Sequence, residues 1–168
     1  LLFATDLTVL QGFDDFLEQM LSDIHRCVKC YNRVVQERPE AGIAPLRIEA
    51  RRVEVPFWAL TWQQPRRRVF ADLTGRRAVL TLENGQPFDM AHMTLAPRAM
   101  LLTGLLRYTT CDMFVHGTGG VLYDRLTELW FRSWLNVELA PVGLVSADLH
   151  MSFNAPLAEP EDVIRAKW

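Results

Sequence analysis

The chain lacks the glycine spacings of the familiar nucleotide sites. Its one glycine cluster, Gly117, Gly119 and Gly120, does not place glycines at the first, third and sixth positions of the dinucleotide fingerprint. No Lys-Ser/Thr pair follows it, so it is not a P-loop. Gly-x-Ser-x-Gly is absent, and no Ser-His-Asp, metalloprotease or paired-carboxylate pattern can be read, so no metal site is expected. Cysteine is scarce. Cys27, Cys30 and Cys111 are too few, and odd in number, for a disulfide framework, and a reducing cytoplasm is the expected compartment. No apolar run approaches the roughly 18 residues that span a bilayer, so no membrane partner is expected. Leu1–Asp6 has no basic leader and its apolar run stops at Asp6, unlike a signal peptide. Positive charge is not in excess either: the formal net charge is −2, against a general nucleic-acid partner. There is no initial Met, and Trp168 stands inside what reads as a newly begun helix. Both ends therefore read as cut, and the expectation is a fragment of a larger protein, with the rest of the chain or a homo-oligomer partner alongside.

What is present is an ordinary globular composition. Of 168 residues, 49% are apolar and 23% charged, enough for one domain, or one and a partial second. Over 12–38, Phe13, Phe16, Leu17, Met20, Leu21, Ile24, Val28, Tyr31, Val34 and Val35 recur at three- and four-residue spacing. That spacing predicts one long amphipathic helix, stopped by Pro39. Residues 46–83 switch to a shorter period. Arg47–Val55, Phe57–Trp62, Arg67–Leu73 and Ala78–Leu82 read as two or three strands, the last two as a hairpin, followed by an Asn84-Gly85 turn. The loop 84–93 is the one candidate boundary, dividing a helix-plus-strand region (1–93) from the rest.

From Thr94-Leu95-Ala96-Pro97 the pattern reads as a helix start, with Pro97 near the first helical position and an apolar helix running to about Tyr108. Met113–Val115 then reads as a short buried strand, Leu122–Leu135 as a helix, and the stretch opened by Pro141 as another strand up to Phe153. Strand, helix and strand in that order predict a βαβ crossover with parallel strands over 94–158. Pro160 and its acidic neighbours open a further helix, 159–168.

Chemistry concentrates at His116-Gly117-Thr118-Gly119-Gly120. Glycines allow positive φ and close approach of a ligand, and a helix starting near Val121 turns unpaired N–H groups and its positive dipole end to that space. An anion, phosphate or carboxylate, is the ligand this suits; the bland alternative is a tight turn that needs glycine for packing. Thr118 offers a hydroxyl donor. His116 stands at the carboxyl end of its strand, where open α/β sheets bind ligands, and histidine is the usual acid–base side chain; the bland reading is a half-buried, hydrogen-bonded histidine. Tyr123 and Asp124 lie in the first helical turn, where Asp124 also suits the dipole. His116 and Asp124 are the candidate catalytic residues. Arg98, Gly117, Thr118, Gly119, Gly120 and Tyr123 are the candidate ligand-binding residues, Arg98 as a carboxylate or phosphate partner. Asp148 and His150 can meet His116 if the strands are adjacent. No cofactor follows from these residues.

Other clusters have plainer readings. Cys27-Val28-Lys29-Cys30 falls mid-helix, without the helix N-terminus a redox pair prefers or the second pair zinc requires. Arg51-Arg52 and Arg66-Arg67-Arg68, near Trp58 and Trp62, read as solvated strand ends.

Pro97-Arg98, Phe114–Gly120, Tyr123, Pro141 and the helix near Pro160 together resemble the Rossmann-like core of the cysteine-adding enzyme family of bacillithiol biosynthesis and its uncharacterised bacterial relatives. The resemblance covers about a third of the chain. It implies a Rossmann-like unit and a ligase- or transferase-type activity that joins cysteine to a glucosaminyl-malate acceptor. The chain departs from that pattern at Gly120, where the family tends to carry a glutamate, and at Ser146, where it carries a basic residue. The expectation is an α/β protein with a long N-terminal helix, a small strand region and a Rossmann-like βαβ unit. Its glycine turn binds an anionic small molecule in thiol or sugar-conjugate metabolism. A non-catalytic structural or interaction domain, diverged from such an enzyme, is the alternative.

Overall fold

The computed structural model describes residues 4–9 and 12–147. The expected end of the final strand, Asp148, His150 and the helix from Pro160 lie outside them.

The N-terminal apolar period is carried by two helices, α1 (Phe13–Ser22) and α2 (Ile24–Gln36). This corrects the single long helix. The break falls at Asp23, whose φ of −124° and ψ of 30° leave the helical region. Its N–H closes α1 on the Met20 carbonyl, and its own carbonyl accepts from Cys27 at 3.0 Å to start α2. Ser and Asp compete locally for backbone hydrogen bonds and suit such a joint. Both helices still bury one continuous side: Phe13, Phe16 and Met20, then Ile24, Cys27, Val28, Tyr31, Val34 and Val35. The period therefore runs through the break undisturbed.

Four antiparallel strands follow: β1 (Arg52–Leu60), β2 (Arg67–Asp72), β3 (Val79–Leu82) and β4 (Thr94–Pro97), in sheet order β3-β2-β1-β4. Central β1 is buried on both faces from Val53 to Phe57. It shifts register between Glu54 and Trp58, around Pro56, which cannot donate to a ladder and is tolerated at such an irregularity. Gly85 takes φ 82° in the turn after β3.

Thr94–Pro97 is a strand and not a helix start. Pro97 pairs opposite Phe57 at the end of edge strand β4, where its missing N–H is tolerated. Arg98 is extended, and α3 (Ala99–Thr109) begins one residue later. The sheet thus continues across the 84–93 loop.

The remaining elements are β5 (Phe114–Gly117), a 3₁₀ turn (Thr118–Gly120), α4 (Val121–Leu135) and β6 (Val142–Val145). β5 and β6 pair in parallel, Phe114 opposite Val142 and Gly117 opposite Val145, joined through α4 as a βαβ unit. The chain is thus mixed α/β. α4 packs on α2 and α3. Trp130 is fully buried and donates to the Cys27 carbonyl at 3.1 Å. Tyr31 meets it edge-on at 5.0 Å, and Trp134 stacks on it at 5.8 Å with 15° between the rings. Gly104 lets α3 approach α4: a Cβ there would collide with the Phe131 ring.

Candidate functional site

The site is built where β5 hands over to α4. Phe114 and His116 are partly buried, while Val115 and Gly117 between and after them are exposed. The two rings meet edge-on at 5.5 Å. The chain then turns through Thr118–Gly120 into α4, whose first-turn N–H groups have no partner inside the helix.

His116 Nδ1 lies 2.9 Å from Asp124 Oδ2. Asp124 is 4% exposed, and its second oxygen, Oδ1, is buried with no hydrogen-bond partner among the described residues. An ionised Asp124 accepts a hydrogen bond from Nδ1–H of the ring, and in the neutral imidazole that arrangement leaves the lone pair on Nε2. Nε2 has no hydrogen-bond partner among the described residues. Protonated, the ring becomes the positive half of an ion pair with Asp124.

Of the two readings of the glycine turn, side-chain packing is the one that Gly120 serves. Gly117 has φ −71° and Gly120 φ −86°, and the positive-φ glycines of the described residues are Gly12, Gly42 and Gly85. The turn needs no left-handed residue. Gly120 is required because a Cβ there would collide with the His116 ring. Gly117 and Gly119 face open space.

A cleft of about 410 Å³ opens between α3 and this turn. Ala99, Leu102, Thr103 and Leu106 of α3 form one wall. Phe114, His116, Gly119, Gly120 and Tyr123 form the other side. The size and apolar lining suit a small-molecule site. Of the sequence candidates, His116, Gly119, Gly120 and Tyr123 line the cleft, with Asp124 behind His116. Gly117 and Thr118 are exposed beside it and do not line it.

Arg98 is not brought to the cleft. Its Nη2 pairs with Glu54 Oε1 at 2.7 Å, its Nε donates to the Phe57 carbonyl at 3.2 Å, and its guanidinium stacks 3.9 Å from the Trp58 ring centre. Glu54, which sequence reading missed, is fully buried and also takes Arg68 at 2.7 Å and the Arg47 N–H at 3.1 Å. Burial pushes the Glu54 carboxyl up, but Arg98, the Arg47 N–H and Arg68 together outweigh it and hold it below its usual value. Burial likewise lowers the Arg98 guanidinium against the pull of Glu54. The two directions conflict for one pair, and the geometry decides: two guanidinium contacts at 2.7 Å fit an ionised carboxylate. The signal for Glu54 was a lone acid inside the apolar run Val53–Phe57.

Cys27 is fully buried and its thiol is pushed well up by that burial, with Cys30 and Asp23 adding to it, so it is no nucleophile. Among the described residues no group of three or more His, Cys, Asp and Glu is placed to hold a metal, and no helix is long and apolar enough to cross a membrane.

No family model, curated protein or solved structure matches the chain.

Proposed function

We propose that the cleft between α3 and the glycine turn binds an anionic small molecule, and that His116 and Asp124 serve there as an acid–base dyad. The observation that carries this is the 2.9 Å contact of His116 Nδ1 with a buried carboxylate beside an open cleft. The ligand's anionic group meets the start of α4, where the helix dipole favours negative charge. His116 Nε2 takes a proton from an attacking hydroxyl, thiol or amine, and Asp124 stabilises the imidazolium that results. A transferase of thiol or sugar-conjugate metabolism uses this chemistry: the acceptor gives its proton to His116 Nε2 as it bonds the transferred group, and the imidazolium returns that proton to the leaving group as the donor's bond to it breaks; a ligase runs the same step on a donor activated by a nucleoside triphosphate.

The likeness to the cysteine-adding family and the Rossmann-like description of β5–α4–β6 belong to this proposal. They are supported by the parallel strand pair and by a site at the carboxyl end of β5. The family's glutamate has no room at position 120, because the His116 ring occupies the space its Cβ would need. The acid–base role passes to the dyad instead.

One observation favours the non-catalytic alternative. Val115, Leu144 and Val145 of the two-stranded parallel sheet are 55%, 50% and 59% exposed, whereas parallel sheets are normally covered on both faces. Such a face suits contact with the rest of a longer chain or a second copy.

A thermal-shift screen of malate, cysteine, sugar phosphates and nucleotides separates the two. A ligand that binds only the native state raises the melting temperature. The expected result is a shift for at least one anion that His116→Ala abolishes. A flat response across the panel, or shifts unchanged in His116→Ala, decides for the interaction domain. In any turnover found, Asp124→Asn should remove about 10²- to 10⁴-fold of rate. Nitrogen NMR should show the His116 proton leaving Nδ1 in that variant.

A further inference from the structure

A groove of about 520 Å³ runs between α1 and the connection from β2 to β3. Its lining shares no residue with the His116 cleft. The floor is apolar: Leu17 and Leu21 of α1, with Leu73 and Ala78 opposite, are partly buried and pack on the core beneath. The banks are charged and opposite in sign. Asp14 and Glu18 stand on the α1 side, Arg76 and Arg77 on the hairpin side, all four exposed. The acids form no ion pair with these arginines across the floor. Asp14 lies in the first turn of α1, where the helix dipole accounts for it. Glu18 lies a turn further on, and a second acid four residues after the first weakens an isolated helix. Arg76 and Arg77 are adjacent like charges at an exposed bend.

The spacing selects the shape of the occupant. Leu17 and Leu21 are one helical turn apart, as are Asp14 and Glu18 on the flank beside them. From Asp14 to Ser22 the α1 wall is about 12 Å long, a little over two turns. A strand has no ladder to join here. The outer edge of β3 is taken by the stretch 86–88: the Phe88 N–H donates to the Leu80 carbonyl at 2.9 Å and the Leu82 N–H to the Gln86 carbonyl at 2.7 Å. A helix with an apolar stripe at i, i+4 and i+7 matches the floor, as amphipathic helices do in apolar grooves. In a twofold dimer the same patch meets itself, and two grooves face to face fill neither.

We propose that this groove docks an amphipathic helix of a partner protein, with arginine or lysine along one flank of its apolar stripe and glutamate or aspartate along the other. The basic flank lies on Asp14 and Glu18, the acidic flank on Arg76 and Arg77. The stripe covers Leu17, Leu21, Leu73 and Ala78. Burial of the stripe holds the complex, and the two rims of charge fix the direction of the helix.

Fluorescence anisotropy of labelled helical peptides titrated with the full chain tests this. The peptides are alanine-based, about 15 residues long so that they hold a helix, and share one leucine stripe. One carries arginine on one flank and glutamate on the other. The second carries arginine on both flanks, the third glutamate on both. The two-signed peptide should bind about tenfold tighter than either single-signed one, and salt should shrink that margin. Asp14→Lys with Glu18→Lys leaves both banks basic and should move the preference to the glutamate peptide. Arg76→Glu with Arg77→Glu should move it to the arginine peptide. These changes sit on exposed residues and leave the core untouched, while Leu21→Asn should weaken all three peptides. Equal binding of the three, or a preference that ignores the charges on the banks, would overturn the proposal. So would self-association of the full chain in sedimentation that the charge reversals abolish, because the occupant would then be a second copy. Tighter binding by a synthetic peptide of residues 148–168 than by the two-signed peptide would give the groove to the chain's own tail and equally overturn it. No binding by any peptide would do the same.

Discussion

At the scale of single residues, the site depends on a hydrogen atom. Gly120 carries one where any other residue carries a side chain, and the His116 ring fills that room. Gly120→Ala should therefore cost about 1–3 kcal/mol, as overpacking does, and push the ring off Asp124. Urea unfolding measures the first effect. Loss of the Nδ1-protonated tautomer in NMR measures the second, while Gly119→Ala, whose Cβ meets open space, should show neither. The residue types at the turn were legible in sequence, and His116 and Asp124 were both singled out. Their pairing was not, because Asp124 had an equally good local explanation in the helix dipole. Only the eight-residue path from strand end to first helical turn puts the carboxylate under the ring. Which of the glycines' two purposes applies is not legible either, since spacing carries no information on whether a glycine serves backbone angle or side-chain clearance.

At the scale of elements, Glu54 connects β1 to the approach to α3. It binds Arg98, which precedes that helix, and Arg68 of β2. Removing it strands a largely buried guanidinium. Glu54→Ala should destabilise by about 3–5 kcal/mol, the cost of breaking a buried ion pair from one side. Arg98→Ala alone should cost comparably, and the double variant less than the sum, measured in a double-mutant cycle. The strands β1 to β3 were legible because their apolar runs are bounded by turn residues. β4 was not: four residues ending in proline look like a helix start, and the pairing of Leu60 with Thr94 that makes them a strand is long-range. The joint at Asp23 was hidden for the opposite reason. Two helices burying one common side leave a period indistinguishable from that of one.

At the scale of the whole molecule, buried ionisable groups set the pH limits of the fold. Glu54 is held below its usual value. A depressed carboxyl contributes stability above its unfolded value of about 4.3, which is lost as pH falls through the lower folded value. Chemical denaturation as a function of pH should show that acid limb, and Glu54→Gln should remove its share. Tyr31 is pushed up to about 12 by burial, the first cause, with Glu54 and Tyr123 adding and Arg98 opposing. Its contribution is complete below the ordinary tyrosine value of about 10 and fades as pH rises toward about 12. Tyr31→Phe should remove that alkaline limb. The mixed α/β class was legible from the change of hydrophobic period. How the halves join was not, because the joining contacts, Trp130 on Cys27 and Arg98 on Glu54, link distant parts of the chain. The indole pair on α4 has an optical consequence. Trp130 and Trp134, nearly parallel at 5.8 Å, are coupled transition dipoles whose circular dichroism couplet exists only while that geometry holds. Trp62, 85% exposed, stands in open solvent, where an indole's emission follows the solvent around it. The molecule thus carries two built-in spectroscopic reporters, one of its interior and one of its rim, with no label attached.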